Sequence, residues 1–335
     1  MEYRSFGRTG VKVSSLCLGC MMFGGRTDAD ESYRIIDRSL DAGINFLDTA
    51  NVYSLGRSEE VVGEALKRNG RRHEVVLGTK VHWKMGEGVN DMGSSRRHII
   101  AQCEASLRRL QTDYVDLYQI HRPQPEIPID ETLRALDDLI RAGKVRYIGS
   151  STFAAWQLVE SLWVAKELGL NRFVCEQPPY HLLDRRVERE LLPMAQTYGF
   201  AIIPWSPLAG GLLTGKYKRG EEPPPDSRYA EYENNPLLRR RMSERIYDVI
   251  EGLQPIAAEK GIPLSQFALA WCMQRPGVTS PIIGPRTMEQ FEDNLGALDV
   301  TFTEDELRRI DRVARRGDAV APFYEAAFGP HPHRV

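Results

Sequence analysis

The segment YVDLYQIHRPQPEIPIDETLRALDDLIRAGKVRYIGSS, residues 114–151, decides the fold because it contains one complete strand–helix–strand unit. Its ends, YVDLYQIH and VRYIGSS, are short runs of aliphatic and aromatic residues, which are typical of strands. Between them the apolar residues Leu133, Leu136 and Ile140 recur at helical spacing, and Gly143 can end the helix. The segment therefore predicts two strands joined by an amphipathic helix.

Further runs of the same kind bring the predicted strand count to eight. They are SSLCLG from residue 14, INFLD from 44, EVVLGTK from 74, FVCEQ from 173, FAIIPWS from 200 and SPIIG from 280. Because these runs are continuously apolar, they indicate a parallel sheet that is buried on both faces. Eight repeats of strand and helix close into a barrel, so we predict an α/β fold of the (β/α)8 TIM-barrel type, with residues 1–335 as a single domain.

Three features lie outside the repeats. EYRSF and VKV flank the turn GRTG and predict an N-terminal β-hairpin at one end of the barrel. Residues 207–279, between the seventh and eighth predicted strands, contain a stretch rich in Gly and Pro and then helical periodicity, which predicts a long loop and extra helices. TEDELRRIDRVARR indicates a further amphipathic helix, and we interpret residues 316–335 as a C-terminal tail.

The charge balance disfavours two classes of partner. The chain has 44 Lys and Arg against 46 Asp and Glu, a formal net charge of -2, and no long run of one sign. We therefore expect neither nucleic acid nor a membrane as a partner, and instead a small molecule. The first residues, MEYRSFGRTG, lack the apolar core of a signal peptide, so we expect a cytoplasmic protein.

Five cysteines, an odd number, lie in apolar segments and predict buried reduced thiols rather than disulfides. Cys17 and Cys20 form a C-x-x-C motif, which suits a redox pair or half of a zinc site. No second pair of cysteines and no His-x-x-x-His motif completes it, and it lies within the strand-like run SLCLGCMMFGG. We therefore expect no metal site.

Polar side chains occur where the second, third and fourth predicted strands end. Asp48 ends the second strand, Lys80 the third and His121 the fourth, and Tyr53 lies in the loop after the second. All four are expected on the C-terminal face of the barrel, where barrel enzymes hold their active sites. A single polar residue at such a position is more often a solvated or structural side chain. The placement of all four residues on one face is what favours an active site.

These four residue types suit proton transfer to a carbonyl oxygen while a hydride reaches the carbonyl carbon. Tyr53 would donate the proton, and the Lys80 ammonium would stabilise the resulting phenolate. Asp48 would be the counter-ion that keeps a half-buried Lys80 charged. His121 would hydrogen-bond to the carbonyl group and orient it.

The chain resembles the aldo-keto reductase superfamily over nearly its full length. The resemblance is carried by LDTANVYSLGRSEEVVGEAL, GTK, YVDLYQIHRP, GKVRYIGSS, CEQPPYH, IPWSPLAGGLLTGKY and PIIGPRTMEQFEDN. It implies a barrel enzyme that reduces carbonyl groups with NADPH or NADH, and that uses Asp48, Tyr53, Lys80 and His121 as catalytic residues. These are the same four residues that lie at the predicted strand ends.

Cofactor binding requires a separate argument, because no G-x-G-x-x-G fingerprint follows a predicted strand. The stretch GGLLTGKY, residues 210–217, matches a P-loop through G-x-x-x-x-G-K but has Tyr217 where a small hydroxyl residue should coordinate magnesium. A nucleotide triphosphatase is therefore disfavoured. A Gly-rich loop with a lysine still suits a diphosphate.

Resemblance to the family assigns the contacts at the nicotinamide end of the cofactor. It implies that Trp205 stacks on the nicotinamide ring and that the carboxamide is held by Ser151, Thr152 and Gln177. Family members often have Asn where Thr152 stands. The rest of the loop would bind the nicotinamide and the pyrophosphate through Ser206, Pro207, Leu208, Ala209, Gly210 and Lys216.

The adenosine end of the cofactor is expected at GPRTMEQFEDN, residues 284–294, which passes from a strand into a helix. A helix N-terminus attracts phosphate, and Arg286 adds a charged fork, which favours NADPH/NADP+ over NADH. Arg228, in the long loop, is a second candidate for the phosphate. Resemblance adds the further contacts Gly284, Gln290, Asp293 and Asn294.

Two functions are consistent with these residues. The first is a reductase of aldehydes or ketones, such as small carbonyl compounds or keto sugars, with Trp83 in the substrate pocket. The second is a cofactor-binding regulatory subunit with little turnover, because CEQPPYH and WSPLAGGLLTGKY most resemble the branch that includes the β subunits of potassium channels. That branch has Asn where this chain has His121, so we favour the enzyme.

Overall fold

The structure contains a two-stranded hairpin and an eight-stranded parallel sheet. It is a computed structural model that describes residues 1–230 and 234–324. The hairpin strands, β1 (Tyr3–Ser5) and β2 (Lys12–Ser14), pair antiparallel. The strands of the sheet are β3 (Cys17–Gly19), β4 (Phe46–Asp48), β5 (Val76–Val81), β6 (Val115–Ile120), β7 (Val145–Ser151), β8 (Phe173–Gln177), β9 (Ala201–Ile202) and β10 (Ile282–Ile283).

The parallel sheet closes on itself. Its strands follow the order β10-β3-β4-β5-β6-β7-β8-β9, so each strand lies beside its neighbour in sequence and the last strand returns to the first. Backbone hydrogen bonds join the edges: Ile282 N–H donates to Pro204 O at 2.8 Å, and the N–H groups of Thr279 and Ser280 donate to Ile202 O at 2.8 and 3.3 Å. The predicted (β/α)8 barrel with its N-terminal hairpin is confirmed.

The last two strands are shorter than the runs that predicted them. FAIIPWS forms a strand only at Ala201–Ile202, and SPIIG only at Ile282–Ile283. Pro204 and Pro281 lie in these runs, and proline has no N–H group to donate to a sheet ladder. The chain therefore leaves β9 early, which places Trp205 on a loop.

Helices surround the barrel. They are α1 (Ala29–Asp41), α2 (Arg57–Asn69), α3 (Arg96–Leu110), α4 (Ile129–Arg141), α5 (Ala155–Leu168), α6 (Leu191–Tyr198), α7 (Pro236–Arg240), α8 (Glu244–Glu259), α9 (Leu264–Met273), α10 (Met288–Leu295) and α11 (Glu304–Val313). The predicted long loop between β9 and β10 is followed by α7 and α8, so the extra helices are present. Across the described ranges of the chain, none of the helices has the length and apolar character needed to cross a bilayer.

The hairpin covers the N-terminal end of the barrel. Phe6, in its turn, packs edge-on against Phe46 at the start of β4, with ring centroids 5.6 Å apart. Gly7 adopts a φ of +58°, and a Cβ atom there would lie 2.8 Å from backbone atoms of Val174, Gly199 and Ala201, so only glycine fits. The loops that follow the C-termini of the strands form the opposite end of the barrel.

The C-terminal tail folds back over the loop after β8. The N–H groups of Phe323 and Tyr324 donate to Asp184 Oδ2 at 2.7 and 3.0 Å. The Tyr324 hydroxyl donates to Phe153 O at 2.6 Å. Of the predicted tail, residues 316–324 are described, and residues 325–335 lie outside the described part of the chain.

The cysteines are free and buried, as predicted. Cys17 lies on β3 and Cys20 directly after it, and burial raises the pKa of both thiols. Thiols held protonated in an apolar core are poor nucleophiles and poor metal ligands. The C-x-x-C motif is therefore part of the packing of the barrel.

Candidate active site

A buried ion pair lies on the C-terminal face of the barrel. Lys80 Nζ on β5 is 2.6 Å from Asp48 Oδ2 at the end of β4, and the two side chains are 0% and 3% exposed. Lys80 also donates to Thr49 O at 2.8 Å. Burial disfavours the charged form of Lys80, but Asp48 and Tyr53 outweigh this effect and raise the pKa of the amine. The ammonium is therefore kept charged inside the protein.

The second oxygen of Asp48 is held by two glutamines. Gln119 on β6 and Gln177 on β8 donate from Nε2 to Asp48 Oδ1 at 3.2 and 2.9 Å. Hydrogen bonds to an ionised carboxylate are strong and directional, so the carboxylate is fixed in orientation. Four strands of the barrel thus hold one ion pair.

Tyr53 lies directly above this pair. Lys80 Nζ is 3.3 Å from the Tyr53 hydroxyl oxygen and 4.9 Å from the centre of its ring. After Tyr53 the chain turns sharply into α2 through Ser54, Leu55 and Gly56, whose φ angles are 48°, 53° and 95°. Left-handed conformations at non-glycine residues are costly and are often found at functional sites. The phenol is thus presented on a strained turn.

A second ion pair, between a buried carboxylate and a half-buried arginine, lies behind this turn. Arg109 on α3 donates from Nε to Glu59 Oε2 at 2.6 Å, and Thr79 donates to Glu59 Oε1 at 2.6 Å. A Cβ atom at Gly56 would lie 2.7 Å from Arg109 Cδ, so the arginine packs closely against the turn. Thr79 precedes Lys80 on β5, and the network therefore contacts both the Tyr53 turn and the lysine strand.

His121 follows β6 and faces the phenol. The His121 and Tyr53 rings meet edge-on with centroids 5.7 Å apart, and the Trp83 ring lies 6.3 Å from His121. Burial, with additional effects from Arg122 and Lys80, lowers the pKa of His121 well below its ordinary value. The imidazole is therefore neutral near pH 7 and can donate one hydrogen bond to a carbonyl oxygen.

A cavity of about 990 Å³ runs from these side chains to the N-terminus of α10. Trp83 and the catalytic candidates Asp48, Tyr53 and His121 line one end of it. It is also lined by most of the predicted cofactor residues: Ser151, Gln177, Trp205, Ser206, Pro207, Leu208, Gly210, Lys216, Arg228, Gly284, Arg286, Gln290, Asp293 and Asn294. The roles of these residues toward a cofactor stay predictions, but the structure brings them together.

Two predicted cofactor residues do not line the cavity. Thr152 is buried behind Trp205, and its hydroxyl oxygen accepts from Trp205 Nε1 at 3.4 Å. Ala209 is buried beneath the Gly-rich loop, and its carbonyl oxygen accepts from the Tyr229 hydroxyl at 3.4 Å. Thr152 therefore orients the Trp205 ring in this structure, and Ala209 anchors its loop.

The far end of the cavity lies at the N-terminus of α10. Thr287 caps α10 by accepting from Gln290 N, and Arg286 lies directly before it. Burial lowers the pKa of Lys216, and the nearby charge of Arg286 contributes to the shift, so the two cations are close in space. Gly210 and Gly211 adopt φ angles of 65° and 101°, which lets the backbone pass close to a ligand. The residues present thus fit a dinucleotide diphosphate.

The sequence of residues 15–315 matches the Aldo/keto reductase family. The chain belongs to this family. It is 43% identical over 303 residues to a probable voltage-gated potassium channel subunit beta of Oryza sativa subsp. japonica, covering 90% of this chain and 92% of the relative. The Arabidopsis thaliana protein of the same description is 42% identical over 303 residues, with the same coverage. The uncharacterized oxidoreductase YrpG of Bacillus subtilis (strain 168) is 40% identical over 322 residues, covering 93% and 96%.

Family membership and the Bacillus relative support an oxidoreductase role for this aldo/keto reductase. In the described site, the Tyr53 hydroxyl oxygen lies 3.3 Å from the Lys80 ammonium, which is paired with Asp48. Within residues 1–230 and 234–324, no group of three or more His, Cys, Asp or Glu side chains could hold a metal ion. The described site therefore offers acid–base groups and a nucleotide-sized cavity.

Several residues of the site were not predicted. Gln119 lies inside the strand YVDLYQIH, and a polar side chain at that position is the signal that would have found it. Arg122 follows His121 directly, so it too is a polar residue at the end of a predicted strand and could have been predicted in the same way. Met21 and Met22, which follow β3, and Thr214, which lies within GGLLTGKY, also line the cavity. Arg26, Arg241 and Ser265 line it as well, and no local pattern indicates them.

Buried histidines should make this protein less stable in acid. Burial lowers the pKa of His82 to about 4 and that of His181 to about 3, and also lowers the values of His98 and His121. As pH falls through about 6.5 the unfolded chain therefore binds protons that the folded chain does not, and each such group removes about 1.4 kcal/mol per pH unit. Glu176 acts in the opposite direction, because burial raises its pKa to about 8 and it binds a proton only when folded.

The four histidines outweigh this one carboxyl group. We expect the free energy of unfolding to be about 3 kcal/mol lower at about pH 5.5 than at about pH 7, as measured by urea denaturation. His181→Asn should reduce the pH dependence, whereas the same change at exposed His73 should leave it as it is. Equal or greater stability at the lower pH would contradict the assignment of neutral buried imidazoles.

Proposed function

We propose that this protein is an NADPH-dependent reductase that converts aldehyde or ketone carbonyls, of small compounds or keto sugars, to alcohols. The observation that carries the proposal is the Lys80 ammonium, 2.6 Å from Asp48 and 3.3 Å from the Tyr53 hydroxyl, at one end of a cavity of about 990 Å³. A charged lysine that bonds to a phenol stabilises the phenolate left when the proton departs. Tyr53 is thus suited to act as the general acid.

NADPH, when bound, would supply the hydride. The chain's own residues would manage the proton: Tyr53 donates it to the carbonyl oxygen, and Lys80 stabilises the phenolate. Asp48 keeps Lys80 charged and in place through the 2.6 Å contact. The neutral His121 would donate a hydrogen bond to the same carbonyl oxygen, which directs the carbonyl toward the phenol.

The cofactor would be held along the cavity by three groups of residues. Trp205 offers a flat face for the nicotinamide ring, and Ser151 and Gln177 lie beside it. Lys216 and the left-handed glycines suit the pyrophosphate, and Arg286 suits a phosphate on the adenosine ribose. A reductase with only free, buried thiols suits the reducing cytosol.

A regulatory subunit that binds NADPH with little turnover is the second candidate. It is favoured by the 43% identity to a plant protein described as a probable potassium channel subunit beta. Asp48, Tyr53 and His121 line the cavity, and the buried Lys80 contacts both Asp48 and Tyr53. This arrangement favours the enzyme, because a subunit without turnover does not need a proton donor. Turnover distinguishes the two.

Tyr53→Phe removes the proposed proton donor and keeps the ring. We expect kcat to fall by about 10²- to 10⁴-fold while the Kd for NADPH stays within about twofold. The measurements are the decay of NADPH absorbance with a panel of aldehydes, diketones and keto sugars, and a fluorescence titration with NADPH. Tyr198→Phe makes the same chemical change at an exposed position and should leave kcat unchanged.

Three results would redirect these assignments. Native protein that binds NADPH but reduces nothing in the panel favours the regulatory subunit. If native protein does not bind NADPH, the cofactor assignment is wrong. Undiminished turnover by Tyr53→Phe means that another group supplies the proton.

Arg286→Gln tests the preference for NADPH. Arg286 donates from Nη1 to Asp226 O at 2.9 Å, which holds the guanidinium at the mouth of the cavity. The substitution should raise the Kd for NADPH about tenfold, a loss of about 1.4 kcal/mol, and change the Kd for NADH by less than about threefold, because NADH lacks the ribose phosphate. The exposed Arg134→Gln on α4 is the matched control. An equal increase in Kd for NADPH and NADH would show that Arg286 does not bind the ribose phosphate.

A further inference from the structure

We propose that Phe323, in the C-terminal tail, is a positioning residue that holds the Trp205 ring in place for hydride transfer. The inference rests on the proposed function, in which the nicotinamide ring stacks on Trp205. The Phe323 and Trp205 ring centroids lie 5.8 Å apart, with the ring planes inclined at 51°. Trp205 is half-buried and lines the cavity, whereas Phe323 is 1% exposed and is not among the residues that line it. Phe323 therefore supports the Trp205 ring from behind and would act on the cofactor only through it.

Trp205 needs support because its other contacts are weak. The chain leaves β9 before Trp205, whose backbone N–H group donates to Pro178 O at 2.9 Å. The indole Nε1 donates to Thr152 Oγ1 at 3.4 Å, which is long for a hydrogen bond of this type. The Arg122 guanidinium carbon lies 5.9 Å from the ring centre, close to the limit of about 6 Å for a cation–π contact. The tilt of the indole ring therefore depends on further packing, which Phe323 supplies.

The Phe323 ring is itself held by two buried side chains. The His181 ring meets it edge-on, with centroids 4.4 Å apart. The guanidinium carbon of Arg241 lies 3.7 Å from its centre. Edge-to-face ring pairs and cation–π contacts favour particular ring orientations. The Phe323 ring is thus fixed before a cofactor binds.

Hydrogen bonds hold the backbone around this ring against the loop after β8. Val320 N and Ala321 N both donate to Leu183 O, at 2.9 and 3.0 Å. The N–H group of Phe323 donates to the buried Asp184 carboxylate at 2.7 Å. The tail therefore has little freedom to shift, and Phe323 can act as a rigid support for a side chain that lies on a loop.

The position of Trp205 matters because hydride transfer requires close approach of the nicotinamide to the carbonyl carbon. A displacement of about 1 Å can lower the rate of a reaction by about 10²-fold. Trp205 would fix one side of the nicotinamide ring, and the Tyr53 hydroxyl lines the same cavity. Loss of the Phe323 ring should therefore slow hydride transfer more than it weakens NADPH binding, because the residues around α10 that are proposed to bind phosphate are unchanged.

A double-mutant cycle with Trp205 tests the inference. Phe323→Leu removes the flat ring and keeps an apolar side chain. We expect the rate of hydride transfer, measured in single turnovers with saturating NADPH and an aldehyde that native protein reduces, to fall about tenfold. The Kd for NADPH should change by less than about threefold. In Trp205→Leu protein, the added Phe323→Leu change should alter the rate by less than about twofold, because its effect passes through the Trp205 ring.

Phe302→Leu is the matched control. Phe302 packs edge-on against Phe267 at 5.1 Å, has the Lys260 ammonium 5.5 Å from its ring centre, and does not line the cavity. This variant should lose thermal stability, as Phe323→Leu does, but should keep the native rate of hydride transfer. Thermal melting of each variant reports whether it folds. If Phe323→Leu does not fold, Phe323→Met takes its place in the cycle, because methionine adapts to irregular gaps.

Three results would overturn the inference. The first is undiminished hydride transfer by Phe323→Leu. The second is an equal slowing by Phe323→Leu in native and Trp205→Leu proteins, which would make the effect independent of the indole ring. The third is a rise in the Kd for NADPH as large as the fall in rate, which would show lost binding rather than lost positioning. In all three cases native protein still reduces the aldehyde, so the proposed reductase stands, whereas reduction of no carbonyl compound by native protein contradicts both.

Discussion

The buried contact between Asp48 and Lys80 is the interaction on which the rest of the site depends. At 2.6 Å and almost without exposure, it holds a cation in the core that would otherwise be strongly destabilised. Its carboxylate is bonded to Gln119 and Gln177, so β4, β5, β6 and β8 converge on one acid. The geometry of the phenol above it follows from the closure of the barrel, because only a closed sheet brings these strand ends together.

Around this pair the molecule separates two electrostatic regions. At the reacting end, burial lowers the pKa of His121 well below its ordinary value and raises that of Glu176 to about 8, so both groups are mostly uncharged near pH 7. At the other end, Lys216 and Arg286 lie close together beside the N-terminus of α10, which favours phosphate. The proposed proton donor Tyr53 lies at the first end of the cavity, and the second end is where the phosphates of the proposed dinucleotide would lie.

The sequence predicted the barrel and the convergence of Asp48, Tyr53, Lys80 and His121 because both follow local rules. Continuous apolar runs mark buried parallel strands, and polar residues at their C-terminal ends must meet on one face. Thr152 shows the limit of those rules: Ser151 and Thr152 are adjacent, yet only Ser151 lines the cavity, because successive residues point in different directions. Arg26 and Arg241 reach the cavity through conformations set by packing across the whole chain, which no local pattern encodes.

The most direct measurement of the central claim is hydride transfer from NADPH that carries deuterium at both C4 positions of the nicotinamide. With native protein and a reducible aldehyde, we predict an alcohol with one deuterium on the former carbonyl carbon. With Lys80→Met, which removes the buried cation, we predict NADPH binding but little labelled alcohol. Undiminished labelling with Lys80→Met, or unlabelled alcohol from native protein, would contradict the account.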